Sequence, residues 1–218
     1  MKKYVAFFDL DRTLLDKYSP QLYYKYEIKH GKFTWWKYYR MGLFTLFYKL
    51  GIEIKDMEKM MRDTAAQYAG QSAEEAFGFA RQWFEENGKF HIRESMKKEI
   101  EIHRKNNAYL VIISASPDSI VMPVAEYLSF DDAICTRTII KKGIITGEMG
   151  TYMYEENKVK EAEKLCKEHN FNLDDAYFYS DSISDLPLLE KVGNPVCVSP
   201  DFRLKRIAKK RNWRIIEK

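Results

Sequence analysis

The sequence predicts an α/β fold, a core of parallel strands with a helical cap inserted between the first two of them. Three observations predict it. Short apolar runs stop at small, polar or turn-forming residues, helical patterns follow them, and a long interval of different composition separates the first run from the second. The chain has 218 residues, and its 45% apolar content supplies a hydrophobic interior for one large unit or for a core with a smaller inserted domain.

The first run, Tyr4 to Leu10, is too short for a buried helix and suits a central parallel strand. Tyr109 to Ile113 leads into Ser114, Ala115, Ser116 and Pro117. Ala176 to Tyr179 leads into Ser180 and Asp181, and Pro195 to Val198 precedes Ser199 and Pro200. The helices fit between them. Ile92, Met96, Ile100 and His103 share one face, as do Val121, Val124, Ala125 and Leu128, then Lys158, Ala162, Leu165 and Cys166. Leu186 to Leu189 reads as a short helix. Leu204, Ile207 and Ala208 form a last apolar stripe before a strand-like pattern from Trp213 to Ile216, and Gly143 to Gly147 reads as a turn or hairpin. This is the rhythm of a Rossmann-like open sheet, which binds ligands near its strand ends.

Roughly 95 residues separate the first two runs, far more than a βα connection needs. Within them Trp35, Trp36, Tyr38, Tyr39, Phe44, Phe47 and Tyr48 crowd together, followed by helical patterns through Met57 to Met61 and through Ala73, Ala76, Phe77, Ala80 and Phe84. The expected organisation is a core of residues 1–16 and 88–218 with residues 17–87 as the cap. Lys37, Arg40 and Lys49 interrupt the aromatic stretch too often for a membrane span, so cap packing or a substrate wall is expected there. Glu27, Tyr39, Arg40 and Arg62 are candidates to touch a leaving group, with packing or surface ion pairing as the plainer role for each.

Charge and cysteine content narrow the function classes. The net charge of +4 concentrates in the tail, where eight basic residues face Asp201 and Glu217. No nucleic-acid motif accompanies them, and with an apolar stripe to bury, the basic residues read as the solvated face of a terminal helix. Cys135, Cys166 and Cys197 are odd in number and widely spaced, which fits core filling in a reducing compartment. Met1, Lys2 and Lys3 run at once into a segment carrying Asp9 and Asp11, unlike a secretory signal, so a cytoplasmic location is expected.

The chemistry concentrates in FFDLDRTLLD, Phe7 to Asp16, and YSDSISDLPLL, Tyr179 to Leu189. Asp9 and Asp11 beside one anionic substrate would repel it unless a cation intervened. Magnesium prefers hard oxygen ligands and can join carboxylates to a phosphate oxygen, with Asp181 as third carboxylate and Asp185 to orient a ligand or complete the shell. Asp9 can attack phosphorus to make an aspartyl phosphate while Asp11 protonates the departing alcohol and later activates water. Ser114 can donate to a nonbridging phosphate oxygen, and Lys158 can offset the collected negative charge. His30, His91, His103 and His169 show no metal spacing, and His103 reads as a packing or hydrogen-bonding residue. Ser116 and Asp118 read as the start of the following helix.

On these residues the chain resembles the haloacid-dehalogenase-like hydrolase superfamily, in its phosphoserine-phosphatase-like branch. The family's pattern of two aspartates and a threonine at alternate positions is matched by Asp9, Asp11 and Thr13, and its strand-ending hydroxyl by Ser114. Its lysine falls on Lys158, with Lys160 as the other register, and its acidic motif on Asp181 and Asp185. The resemblance implies that Asp9 is the nucleophile and Asp11 the acid/base, that Asp9, Asp181 and the Asp11 backbone carbonyl bind Mg2+, and that Thr13 supports the loop. Two departures bear on the substrate. Ser114, Ala115 and Ser116 replace a Ser-Gly-Gly phosphate loop, and Ser180 stands where a glycine often precedes the acidic motif.

The expected activity is hydrolysis of a small phosphorylated metabolite, with no obligate nucleic-acid or membrane partner. The alternatives are a phosphotransferase or phosphomutase using the same aspartyl phosphate, a noncatalytic phosphate or nucleic-acid binding protein, and a dehalogenase. The last would have less reason to keep Asp11 and Asp181.

Overall fold

The structure is a computed structural model that describes residues 2–32 and 57–217. Its core is a parallel sheet of six strands, β1 (Val5–Phe8), β2 (Tyr109–Pro117), β3 (Asp132–Thr136), β6 (Tyr177–Ser180), β7 (Asn194–Val198) and β8 (Arg214–Ile216). Their order across the sheet is β3-β2-β1-β6-β7-β8. The remaining strands, β4 (Thr138–Lys141) and β5 (Ile144–Met149), form a separate antiparallel hairpin. The helices are α1 (Ser19–Lys29), α2 (Met57–Ala66), α3 (Ala73–Glu86), α4 (Glu94–Lys105), α5 (Asp118–Tyr127), α6 (Glu156–His169), α7 (Leu186–Leu189) and α8 (Phe202–Lys210).

Strand alternation divides the interior into two layers. Ala6 and Phe8 of β1 face a core that includes Met96 and Ile100 of α4 and Val121 and Val124 of α5. Val5 and Phe7 face Ala162 and Leu165 of α6 and Leu204 of α8. Both faces of the central strand are therefore apolar, which is why it reads as a continuous apolar run. Each fully buried aromatic ring contributes about 1.5–3 kcal/mol by transfer alone. From β1 the chain builds outward to β2 and β3, then crosses back to lay β6 on the other side. The switch point between β1 and β6 opens a crevice at their carboxyl ends.

The predicted strands and helices are present, with boundaries shifted by a few residues. β3 was not expected, because its sequence DAICT mixes a charge with small residues and gives a weak signal. The aromatic stretch from Trp35 to Tyr48, including Tyr39 and Arg40, lies outside the described residues. The described helices between β1 and β2 pack in two ways. α3 joins the core through Ala80, Trp83 and Phe84, which lie in the same layer as Phe8. α2 meets the hairpin: Gly147, at φ 83, stands where an added Cβ would lie 2.8 Å from the Ala69 Cβ, so the close approach requires glycine.

The glycines that read as a turn thus belong to a hairpin clasped onto the segment after α2. The Gly70 amide donates to the Ile145 carbonyl at 2.9 Å, and the Ile145 amide to Gln71 at 2.9 Å. At the other end, the Asp16 amide donates to His91 at 2.8 Å and the Arg93 amide to Leu14 at 2.9 Å, holding the outgoing and returning chain side by side.

Candidate active site

Asp9 leaves β1 at the switch point, and the chain then winds into a tight loop rather than continuing extended. The Leu14 and Leu15 amides reach back to Asp9 and Leu10, at 3.3 and 2.9 Å, while Arg12 takes a positive φ of 60. This winding sends Asp11 over the same crevice as Asp9. Both carboxylates line a cavity of about 290 Å³ together with Ser114, Lys158 and Asp185. Thr13 is buried in the loop, and its hydroxyl has no hydrogen-bond partner among the described residues.

Lys158 enters from the first turn of α6 and is 3% exposed, whereas Lys160 is exposed. Its Nζ donates to Asp9 Oδ1 at 2.9 Å and lies 2.8 Å from Asp185 Oδ1. Ser180 Oγ donates to the other Asp185 oxygen at 2.6 Å. Asp185 thus holds the lysine in place and makes no side-chain cap to α7. Burial would lower the Lys158 pKa, but Asp185 and Asp9 overcome it and the ammonium is held charged. For Asp9 burial is the largest influence and raises its pKa. Lys158 opposes the rise, and Asp185 and Asp11 add to it.

Asp11 sits in a different environment. Its carboxylate accepts from the Ser19 amide at the start of α1 and from Ser116 Oγ at 2.7 Å. Burial raises its pKa and these hydrogen bonds restrain the rise, leaving a carboxyl that keeps its proton more readily than an exposed one. Ser116 therefore serves Asp11 rather than capping α5. Asp118, expected as a cap, accepts from the Thr138 hydroxyl at 2.6 Å and amide at 3.1 Å, besides its neighbour Ser119, and so ties the start of the hairpin to α5. The Ser114 hydroxyl accepts from the Ser116 amide at 3.2 Å, which leaves its own O–H directed by whatever occupies the cavity.

Asp181 follows β6 and is buried. Its pKa is raised well above the usual value by burial, then by Asp9, against the opposing charge of Arg12. Arg12 Nη1 lies 3.3 Å from Asp181 Oδ2 and stacks over the Tyr18 ring. Three buried carboxylates, Asp9, Asp181 and Asp185, and the half-buried Asp11 thus face two cations, Lys158 and Arg12. That excess suits a bound cation. Among the described residues no cluster of three or more His, Cys, Asp or Glu side chains is gathered to hold a metal. The expected donor set asks for less, since Asp9 and Asp181 would give side chains and Asp11 only its backbone carbonyl, with phosphate and water completing an octahedral shell.

Sequence reasoning missed Arg12, Ser180 and Asp201. Asp201 accepts from the Ile183 amide at 2.7 Å and from Leu204 at 2.9 Å, bracing the Asp181 loop against the start of α8. Its only sequence signal is that of an ordinary helix cap. The other leaving-group candidates take structural roles. Glu27 is buried and accepts from Tyr68, and Arg62 pairs with Glu58 at the surface.

The sequence profile of the haloacid dehalogenase-like hydrolases matches residues 6–190. A histidinol-phosphatase of Neisseria meningitidis is 30% identical, with 98% of each chain covered. A probable phosphatase of Mycobacterium tuberculosis is 29% identical over 97% of this chain and 74% of its own. In three dimensions, a Bordetella pertussis protein of unknown function superposes with a TM-score of 0.87 at 23% identity, covering 99% of both chains. A substrate-bound phosphoserine phosphatase does so at 0.73 and 22%, covering 100% of this chain and 94% of the other. The chain belongs to the haloacid dehalogenase-like hydrolases and has the fold of the phosphoserine phosphatases.

Proposed function

We propose that the protein is a magnesium-dependent phosphatase that hydrolyses a small phosphomonoester through a phosphate ester of Asp9. The observation that carries this reading is the bridging of Asp9 and Asp185 by one buried lysine, with Asp11 held separately by Ser19 and Ser116. Lys158 steers one oxygen of Asp9 and leaves the other for attack. Asp9 then forms a bond to phosphorus as the phosphorus–oxygen bond to the alcohol breaks. Asp11 gives its proton to the departing oxygen, a role that its raised pKa favours.

In the second half, the Asp11 carboxylate takes a proton from water, and the resulting hydroxide displaces Asp9 from phosphorus to release inorganic phosphate. Ser114 donates to a nonbridging phosphate oxygen, and Lys158 stabilises the charge that develops there. Asp9, Asp181 and the Asp11 carbonyl would hold Mg2+, which when bound supplies positive charge to the phosphate and keeps the Asp9 carboxylate ionised. Residues 17–87 act as the cap that excludes surplus water.

The test is rapid quenching of the protein with a labelled phosphomonoester and Mg2+, followed by mass spectrometry of the peptide Phe7 to Asp16. Labelled phosphate should reside on Asp9. Label elsewhere, or steady release of phosphate by Asp9→Asn protein verified against deamidation, would defeat the assignment. Transfer of the label to an added alcohol in preference to water would replace hydrolysis by phosphotransfer.

A further inference from the structure

The floor and the walls of the cavity differ in chemistry. The floor holds the carboxylates, Lys158 and Ser114. Away from it the described lining is largely apolar, with Tyr24 of α1, Met61 of α2, Tyr68, Phe77 of α3, and Ile145 and Met149 of β5, and its polar side chains there, such as Gln21, Thr64 and Thr138, are mostly uncharged. The polar tips of the two tyrosines are engaged with one another and with the protein. Tyr68 donates to the buried Glu27 at 2.9 Å, and Tyr24 is hydrogen-bonded to Tyr68, so both present their rings.

Charged side chains are scarce in the rest of the lining among the described residues. Besides the floor residues, the charged groups lining the cavity among the described residues are Arg137 and Glu148. The Arg137 guanidinium donates to the Ala133 carbonyl at 2.9 Å and lies 3.9 Å from Met122 Sδ, while Glu148 is exposed on the hairpin. A leaving group carrying an ammonium and a carboxylate would lose its hydration against thioethers and rings, at a cost that such a wall does not return. An apolar one would gain from the same burial.

We infer that the physiological substrate is a phosphomonoester whose alcohol carries an uncharged, apolar carbon skeleton. This inference rests on the phosphatase reading for its chemistry but not for its recognition.

Binding can be measured without turnover by using phosphonates, whose carbon–phosphorus bond is not hydrolysed. Calorimetry of the magnesium-loaded protein with ethyl-, butyl- and hexylphosphonate should show affinity rising about fourfold per methylene, hence roughly 250-fold across the four methylenes of the series. 2-Amino-3-phosphonopropionate, the phosphonate counterpart of phosphoserine, should bind more weakly than butylphosphonate. A flat series, or tighter binding of the amino-acid phosphonate, would overturn the inference.

Met61→Lys should lower the hexyl-to-ethyl affinity ratio at least tenfold, and Phe77→Ala should lower it by a smaller factor. An unchanged ratio in both folded variants would also overturn the inference. Dodecylphosphonate against naphthylmethylphosphonate separates a chain that runs out of the cavity from a flat ring that fills it, and tight binding of either supports the apolar wall. Hydrolysis of hexyl and ethyl phosphate, which share a leaving-group chemistry, completes the test. A steep phosphonate series without hydrolysis of any ester would sink the phosphatase reading and leave the wall's preference standing. Hydrolysis with a flat series would do the reverse.

Discussion

Two clusters of buried charge are anchored two residues apart on β6 and its exit loop, one at Tyr179 and the other at Asp181, and they are balanced differently. At Tyr179 the hydroxyl donates to Glu99 at 2.8 Å, and Glu99 is also gripped by Arg214 from β8. His103 Nε2 lies 2.8 Å from the same hydroxyl, and Tyr4 closes the chain at His103 Nδ1 at 2.8 Å. Since Tyr179 spends its proton on Glu99, it accepts from His103 Nε2–H, and in a neutral imidazole Nδ1 is then the acceptor for Tyr4. Burial, outweighing Glu99, lowers the His103 pKa to about 4 and so favours the neutral imidazole. Each named donor there finds an acceptor. At Asp181 four carboxylates face two cations, and burial raises the pKa of Asp9, Asp11 and Asp181. Balanced charge builds the scaffold, and unbalanced charge marks where a cation and a phosphoryl group belong.

The largest expected effect breaks the unbalanced cluster at its nucleophile. Asp9→Asn should lower phosphomonoester turnover by on the order of 10⁴-fold or more, with the circular dichroism spectrum unchanged. Removing divalent metal with a chelator should lower turnover roughly 10³-fold, and added Mg2+ should restore it where Na+ does not.

Lys158→Ala comes next, with turnover reduced about 10²- to 10³-fold. Because Lys158 lowers the Asp9 pKa, its removal raises that pKa, and the acid limb of the pH–rate profile should move to higher pH. A limb that stays in place in folded protein would separate Lys158 from Asp9.

The balanced cluster should respond in stability instead. His103 has a folded pKa of about 4 against an ordinary value of 6.5, so the unfolded chain binds more protons between those values. Stability should fall as pH drops from 6.5 towards 4, by up to about 3 kcal/mol, and level off below. Denaturant titrations at pH 7 and pH 5 check this, and His103→Gln should flatten the difference. The smallest effect is expected of Arg214→Ala. The Arg214 side chain is 53% exposed, so solvent screens its pair with Glu99, and the loss should be within about 1 kcal/mol with turnover inside twofold of the parent.

Much of the fold was legible because its signals are local. The two faces of β1 follow from alternation within four residues, and the α4 face of Met96, Ile100 and His103 from helical period. Asp9, Asp11, Ser114, Lys158, Asp181 and Asp185 were legible because their order along the chain mirrors strands whose ends meet. The fates of Ser116 and Asp118 were not, since a serine before a helix has the same local pattern whether it caps the helix or, as here, reaches 105 positions back to Asp11. β3 was hidden for a related reason, having almost no periodicity of its own and depending on β2 for its pairing.

What the sequence determined by itself is therefore the parallel-sheet core, the long insertion and the set of acidic, hydroxyl and lysine side chains at strand ends, all carried by short-range periodicity and motif order. The tertiary structure alone decided which of those charges balance. Glu99 meets Arg214 across 115 positions and Lys158 meets Asp9 across 149, while Tyr24, Met61, Phe77 and Ile145 become one wall only when the hairpin clasps the insertion. Such pairings depend on strand order and on the register of packed elements. Those are properties of the assembled core, and no local stretch of sequence contains them.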